Sequence, residues 1–511
     1  MSAAAEGSGQ SGQAGQAGPP GQPGGDDVLR ESASELAARL HAGTLCPVEL
    51  AEATLARISE VDPVVNAMCT VADDVLVQAE AARAAIYRGD EVGPLCGLPV
   101  GIKDVTATAG LRTTYASPLF AHHVPDRDAL LVARLRAAGA VIVGKTNTPE
   151  MAVGAHTDNE VFGPTRNPWD PSRTVGGSSG GSAAALACGM VALADGTDVG
   201  GSLRIPAAYC GVVGLRPSPG LVPILPSPDR WDDIQAAGPM GRTVADVAMM
   251  LQVMAGPAPG LPMSRSMTGR DFPAAAARPL RSGLRVGWCP DLSGRGVEPA
   301  LVHLGRRVLD YLSDSGAEIA DVELDLSAGH EVFATLRGLW MLAQHLDLVD
   351  RLDELGPNLA GNIRVGLGLD PTRIARAMRA RSRLMARVAR VLAEVDVVVT
   401  PTVAVPPFAI ADGPPMAIRG QPMSSYIDWI APTYLLTLTS LPVLAVPCGR
   451  DQDGLPAGVQ IVGPVDGEEL VLEVGAALER RQQALIAPLT DLSAASSTPP
   501  SSSSPPRETT P

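Results

Sequence analysis

Apolar residues along the chain recur either at helical spacing or in short continuous runs, and the two patterns together predict an α/β fold. Residues 28–41 and 47–60 read as amphipathic helices, with Gly43 ending the first and Pro47 in the first turn of the second. Residues 98–102 form a short apolar strand that runs into Lys103 and Asp104. A helix at 129–138, capped by Asp128 and ended by Gly139, leads to a strand at 141–143. Next come a helix at 182–190, a strand at 191–194, a helix at 205–210, an extended segment at 211–215 and an apolar helix at 243–255. Strands at 284–288, 319–324, 397–400 and 459–462 alternate with helices at 299–315, 331–353, 371–394 and 468–482. Two stretches are proline-rich. Residues 257–281 read as a surface excursion, while 401–432, with Phe408, Tyr426 and Trp429, either lines a pocket or covers the core.

The ends depart from this pattern. Residues 1–27 are rich in Gly, Gln, Ala, Ser and Pro, and 490–511 in Ser, Pro and Thr, so both read as disordered tails around an ordered span of 28–489. The first tail has neither the basic start nor the apolar run of a signal peptide. Even the apolar run 434–446 is broken by Thr437, Thr439, Ser440 and Pro442, so no membrane span is expected. A net charge of −15 argues against nucleic acid or an anionic membrane as a partner and for a small molecule. A homodimer is left open. Seven cysteines without a CxxC pair point to reduced thiols and a cytoplasmic location.

Candidate chemistry concentrates between Thr174 and Arg204, where Ser178 and Ser202 are flanked by glycines on either side of an alanine-rich run. Glycines let a substrate approach the main chain, and the second glycine segment, 195–202, reads as a turn whose free N–H groups can bind an oxyanion. Lysine usage adds a second signal. Of 40 lysines and arginines only Lys103 and Lys145 are lysine, and lysine, unlike arginine, can lose its proton near neutral pH when buried. Three chemistries compete for the serines. A phosphate-binding loop, as in a non-catalytic nucleotide-binding module, needs a lysine after the glycines, and none follows Gly181. A nucleophile elbow fits Gly177, Ser179 and Gly181, with His303, His330 or His345 as base, but 166–173 before it holds two prolines where a strand is required. The third is a serine nucleophile activated by lysine.

The last reading meets a resemblance. Gly101-Ile102-Lys103-Asp104, then Gly176-Gly177-Ser178-Ser179-Gly180-Gly181, then Asp198-Val199-Gly200-Gly201-Ser202-Leu203-Arg204-Ile205-Pro206 resemble the amidase signature family, and the likeness returns at 454–464. It implies one α/β domain with a central mixed β-sheet flanked by helices. It also implies a Ser-cisSer-Lys triad of Ser202 as nucleophile, Ser178 in a cis peptide and Lys103 as base, with an oxyanion hole from the N–H groups of Val199, Gly200, Gly201 and Ser202. Ser179, Asp198 and Arg204 would support the site, Lys145 would fix the 144–150 segment, and no metal or organic cofactor is needed. The expected substrate is a small carboxylic amide, with carbamates (a urethanase activity) or aryl esters as relatives. A glutaminase subunit of a tRNA amidotransferase is the alternative. Thr437 and Ser440 stand where family members commonly carry Asn and Gly, so the pocket is expected to differ there. Phe408, Tyr426, Trp429, Trp340 and Leu342, with few charges among them, point to an apolar pocket and a hydrophobic or aryl substrate.

Overall fold

A computed structural model describes residues 28–481. The two predicted tails, residue 482 and the 489 boundary lie outside the described residues. Eleven strands form one mixed sheet: β1 (Met68–Val71), β2 (Pro99–Lys103), β3 (Val141–Thr146), β4 (Leu193–Asp198), β5 (Val213–Arg216), β6 (Ala236–Gly241), β7 (Arg285–Trp288), β8 (Glu318–Asp321), β9 (Val397–Pro401), β12 (Val443–Arg450) and β13 (Pro456–Val462). The remaining two, β10 (Ala417–Ile418) and β11 (Gln421–Pro422), make a small separate hairpin. The order across the sheet is β1-β3-β2-β4-β6-β5-β12-β13-β9-β7-β8. Parallel pairing holds β2 to both β3 and β4, and β7 to both β8 and β9. The middle of the sheet is antiparallel.

Local chemistry explains most of the elements. Helix Ala33–His41 starts at Ser32, whose side chain and that of Glu35 form a capping box, so it begins later than its apolar spacing suggests. Helix Pro47–Val65 starts at the expected proline and continues past residue 60 until Asn66 turns left-handed. Asp128 does not cap the following helix, Leu130–Ala137: its carboxylate accepts from the Ala109 N–H and pairs with Arg136. The predicted helix 331–353 is two pieces, Gly329–Gln344 and a 3-10 segment Leu346–Glu354. The excursion 257–281 contains a short helix, Phe272–Ala277, that buries Phe272.

Three sheet strands, β1, β6 and β12, have no counterpart in the sequence reading, and neither does helix Val75–Arg88. Strand β6 (AAGPMG) lacks β-branched and aromatic residues, and β12 contains Pro447 beside a register shift. Their neighbours in the sheet, rather than their own preferences, make them strands. Helices cover the sheet in one continuous domain. Innermost is helix Gly180–Ala187, buried from Gly180 to Leu186 and packed on β2, β3, β4 and β6. Only small residues allow this: a Cβ on Gly181 would come 2.2 Å from the Asn147 nitrogen.

Candidate active site

Strand β2 ends at Lys103 and its parallel neighbour β4 ends at Asp198, so the lysine and the 199–203 turn emerge side by side at carboxyl ends of parallel strands. Ser178 and Ser179 lie just before the buried helix, after a cis Gly177–Ser178 peptide. The Lys103 Nζ is 2.7 Å from Ser178 Oγ and 2.9 Å from both Ser179 Oγ and Thr197 Oγ1. All four residues are buried. Burial pushes the Lys103 ammonium down to about 7, against the Asp195 and Asp198 carboxylates, which favour its charged form. Asp195 also fixes the strand end, accepting from the Lys103 N–H at 2.6 Å and from Thr106 Oγ1 at 2.7 Å. Neither Thr197 nor Asp195 is singled out by the sequence. Both sit in 195–202, which reads as a turn but is strand as far as Asp198, where it pairs with β6, and Gly196 lets it pass close to Ser179 and Leu203 where a Cβ would clash.

The turn itself is built on Asp198. Its carboxylate accepts from the N–H groups of Gly201 (2.9 Å) and Leu203 (3.1 Å) and pairs bidentately with Arg204, at 3.0 Å from Nε and 2.9 Å from Nη2. Although burial opposes it, the Arg204 and Arg216 guanidinium groups hold this carboxyl down at about 2. Gly201 has φ +119, and a Cβ there would meet Thr433 Oγ1 at 2.3 Å. The Gly201 N–H is thus already occupied. Among the described residues, the N–H groups of Val199, Gly200 and Ser202 donate to nothing, and the Ser202 hydroxyl has no partner. Replacing Asp198 with alanine would leave two buried arginines without their carboxylate. We expect a loss of about 3–5 kcal/mol in stability, read from denaturant midpoints, because breaking a buried pair costs far more than forming it gains.

Other predicted residues fall elsewhere. Lys145 is fully buried, but its Nζ bonds the Thr106 carbonyl and Thr108 Oγ1 (2.9 Å), so it braces the loop after Lys103 rather than the 144–150 segment. None of the three candidate histidines touches a serine of the core. His330 bonds Tyr434 Oη and the Ser293 carbonyl, burial lowers His345 to about 4, and His303 lies on helix Pro299–Asp314. The glycine loop is no phosphate cradle either. The N–H groups of Ser179, Gly180 and Gly181 already donate to the Ser202 carbonyl, Thr157 Oγ1 and the Asn147 carbonyl. Thr437 Oγ1 accepts from Arg204 (3.1 Å) and Ser440 Oγ from Arg381 (2.8 Å); neither lines the cavity at the serines.

That cavity, of about 60 Å³, is lined by Ser178, Thr197 and Ser202 and walled by Phe333, Trp340, Met341 and Ile430. Along Val153, Gly154, Ala155, Tyr426 and Ile427 it adjoins a vestibule of about 680 Å³ that Phe408 and Trp429 also line. Four of the five anticipated pocket residues therefore reach the site. Leu342 does not, packing instead in a separate apolar cluster. Phe333, Gln235 and Arg337 are additions that only the packing of distant segments reveals, and Arg337 is a charge where few were expected.

The chain matches the family model described as Amidase over residues 49–472. It is 38% identical over 473 residues to a glutamyl-tRNA(Gln) amidotransferase subunit from Roseiflexus sp. (strain RS-1), covering 88% of this chain and 95% of that one. To an acylamidase from Rhodococcus erythropolis it is 35% identical over 474 residues, covering 91% and 97%. Among solved structures it superposes on a bacterial aryl acylamidase of the amidase signature enzymes with a TM-score of 0.81 and 28% identity, covering 88% of this chain and 96% of that one. No helix among the described residues is long and apolar enough to cross a membrane. A family match that spans most of the described residues agrees with two serines at one cavity and a buried lysine bonded to one of them, and the protein is an amide hydrolase belonging to the amidase signature family.

Proposed function

We propose that the protein hydrolyses linear carboxylic amides through an acyl-enzyme on Ser202. The observation that carries the reading is the 2.7 Å contact of a fully buried Lys103 with Ser178, on a cavity that Ser178 shares with Ser202. Neutral Lys103 accepts the Ser178 proton as Ser178 accepts that of Ser202, and Ser202 Oγ attacks the carbonyl carbon. In this reading the N–H groups of Val199, Gly200 and Ser202 hold the oxyanion, while the Gly201 N–H is engaged by Asp198. Collapse of the tetrahedral intermediate breaks the C–N bond. Ser178 gives its proton to the leaving amine and regains one from Lys103, and water then releases the acid by the reverse proton path. Seven free cysteines fit a reducing cytoplasm.

The apolar walls favour hydrophobic or aryl amides, with carbamates and aryl esters as related substrates. A cavity of this size holds only about four to six heavy atoms at roughly 10–15 Å³ each, so longer groups must extend into the vestibule that Phe408, Tyr426 and Trp429 line. Each buried methylene adds about 0.8 kcal/mol, close to fourfold in kcat/KM. Hexanamide and benzamide are expected to exceed acetamide at least about tenfold, with an aryl carbamate measured alongside. Equal rates on acetamide and hexanamide would sink the apolar-pocket reading. The glutaminase alternative draws on the 38% identity to an amidotransferase subunit. Against it stand the apolar walls of the nucleophile cavity, Phe333, Trp340, Met341 and Ile430, which favour a hydrophobic acyl group. Glutamine turned over faster than hexanamide would reverse the choice.

A further inference from the structure

Helix Gly329–Gln344 stands between the nucleophile cavity and a second, larger one. Phe333, Arg337 and Trp340, at helical spacing, line the cavity of about 60 Å³ at the serines. Leu336, Leu339 and Ala343, on the adjacent face of the helix, line an outer pocket of about 650 Å³ together with Met378, Met385 and Leu438. Among the described residues only Trp340 lines both. Its ring is pinned. The indole Nε1 donates to Asp232 Oδ2 at 2.7 Å, while Asp232 Oδ1 accepts from the N–H groups of Ile234 (2.8 Å) and Gln235 (3.0 Å), so the acceptor itself is fixed by backbone. Of the other charged groups at the outer pocket, Asp233 pairs with Arg381 at 2.9 Å, and the surface nearest the helix is alkyl.

A wall one indole thick limits what can be bound, and the limit depends on the leaving group. Ammonia leaves the vestibule empty, so the chain of a primary amide can extend there. An aryl amine does not. Its ring exceeds the about four to six heavy atoms that the inner cavity holds, so it takes the vestibule and leaves the acyl group the inner cavity alone. A butyryl group fits that space, whereas an octanoyl group runs into the indole. We propose that Trp340 determines acyl-chain length in aryl amides: it closes the nucleophile cavity against the outer pocket, so that anilides of short acids are substrates and those of medium-chain fatty acids are not. Without the indole the two cavities join, and the alkyl surface of the outer pocket receives the rest of the chain. This rests on the serine-amidase reading and deepens it.

The test measures kcat/KM on the 4-nitroanilides of butyric and octanoic acid, with hexanamide as the substrate that needs no aryl site. The native protein is expected to favour the butyryl over the octanoyl anilide at least about tenfold. Each methylene buried in an apolar pocket is worth about fourfold, so Trp340→Ala should raise the octanoyl-to-butyryl ratio at least about twentyfold. Trp340→Leu, which keeps an apolar side chain in the wall, should raise it by less. Labelling of Ser202 by a fluorophosphonate reports that each variant has an assembled site, and the native ratio stands whatever the variants do. Native protein that hydrolyses the octanoyl anilide as well as the butyryl one overturns the proposal, and so does a labelled Trp340→Ala whose ratio is unchanged. Hydrolysis of hexanamide with no turnover of either anilide also overturns it, because the vestibule then does not take the ring; in these three cases the amidase reading stands. If hexanamide and both anilides are untouched and Ser202 resists the probe, both readings fall.

Discussion

Replacing Ser202 with alanine is expected to lower kcat/KM on hexanamide by about ten-thousandfold or more, a loss of roughly 5 kcal/mol in transition-state stabilisation. The fold should barely notice. Ser202 is half-buried and its hydroxyl has no partner among the described residues, so the melting temperature should stay within about 2 °C of the native value. Backbone N–H groups at Val199, Gly200 and residue 202 survive the substitution, which is why some catalysis over water should remain. In the native protein the same hydroxyl should be labelled by a fluorophosphonate, and the alanine variant should not. A variant that keeps native turnover would show that another group carries the acyl chain.

Lys103→Arg is expected to cost about a thousandfold or more although it keeps the positive charge. Arginine stays protonated in proteins, so it cannot take the Ser178 proton. Its wider head must also fit where Nζ now lies between three hydroxyls. A measurement on the unaltered protein separates these two causes. Burial lowers Lys103 to about 7 against the pull of Asp195 and Asp198, and the active form of a base is the unprotonated one. Activity should therefore level off above about pH 7 and fall about tenfold for each unit below it. A profile that is flat between about pH 5 and 8 would remove Lys103 as the base. The same shift acts on stability with a definite sign. Between about 7 and the ordinary value of 10.5 the unfolded chain binds the proton and the folded chain does not, so this group's contribution makes the fold more stable as pH rises through that interval.

By itself the sequence determined the parts whose chemistry is local. Pro47 starts its helix, the helix expected over 205–210 does stop at residue 210, before a left-handed Gly211, and the valine-rich run at β9 is a buried strand. The two retained lysines are both fully buried, which is what the replacement of nearly every other lysine by arginine suggested. Ser178, Ser202 and Lys103 were legible as candidates because glycines flank each serine and the lysine stands at a strand end, while only the family resemblance joined the three. Tertiary structure decided the rest. Strand β6, with its glycines and Pro239, pairs with β4 because its neighbours supply the hydrogen bonds that its own residues do not encourage. Asp195 and Thr197 face Lys103 only once a stretch that reads as a turn is pulled straight by that pairing. Gly201 looks like a free oxyanion donor until the Asp198 carboxylate folds back onto it. Arg337, Gln235 and Phe333 come from separate segments of the chain and share no motif with the serines. A pocket wall is a property of packing, and no local pattern of hydrophobic and polar residues records which side chains meet across it.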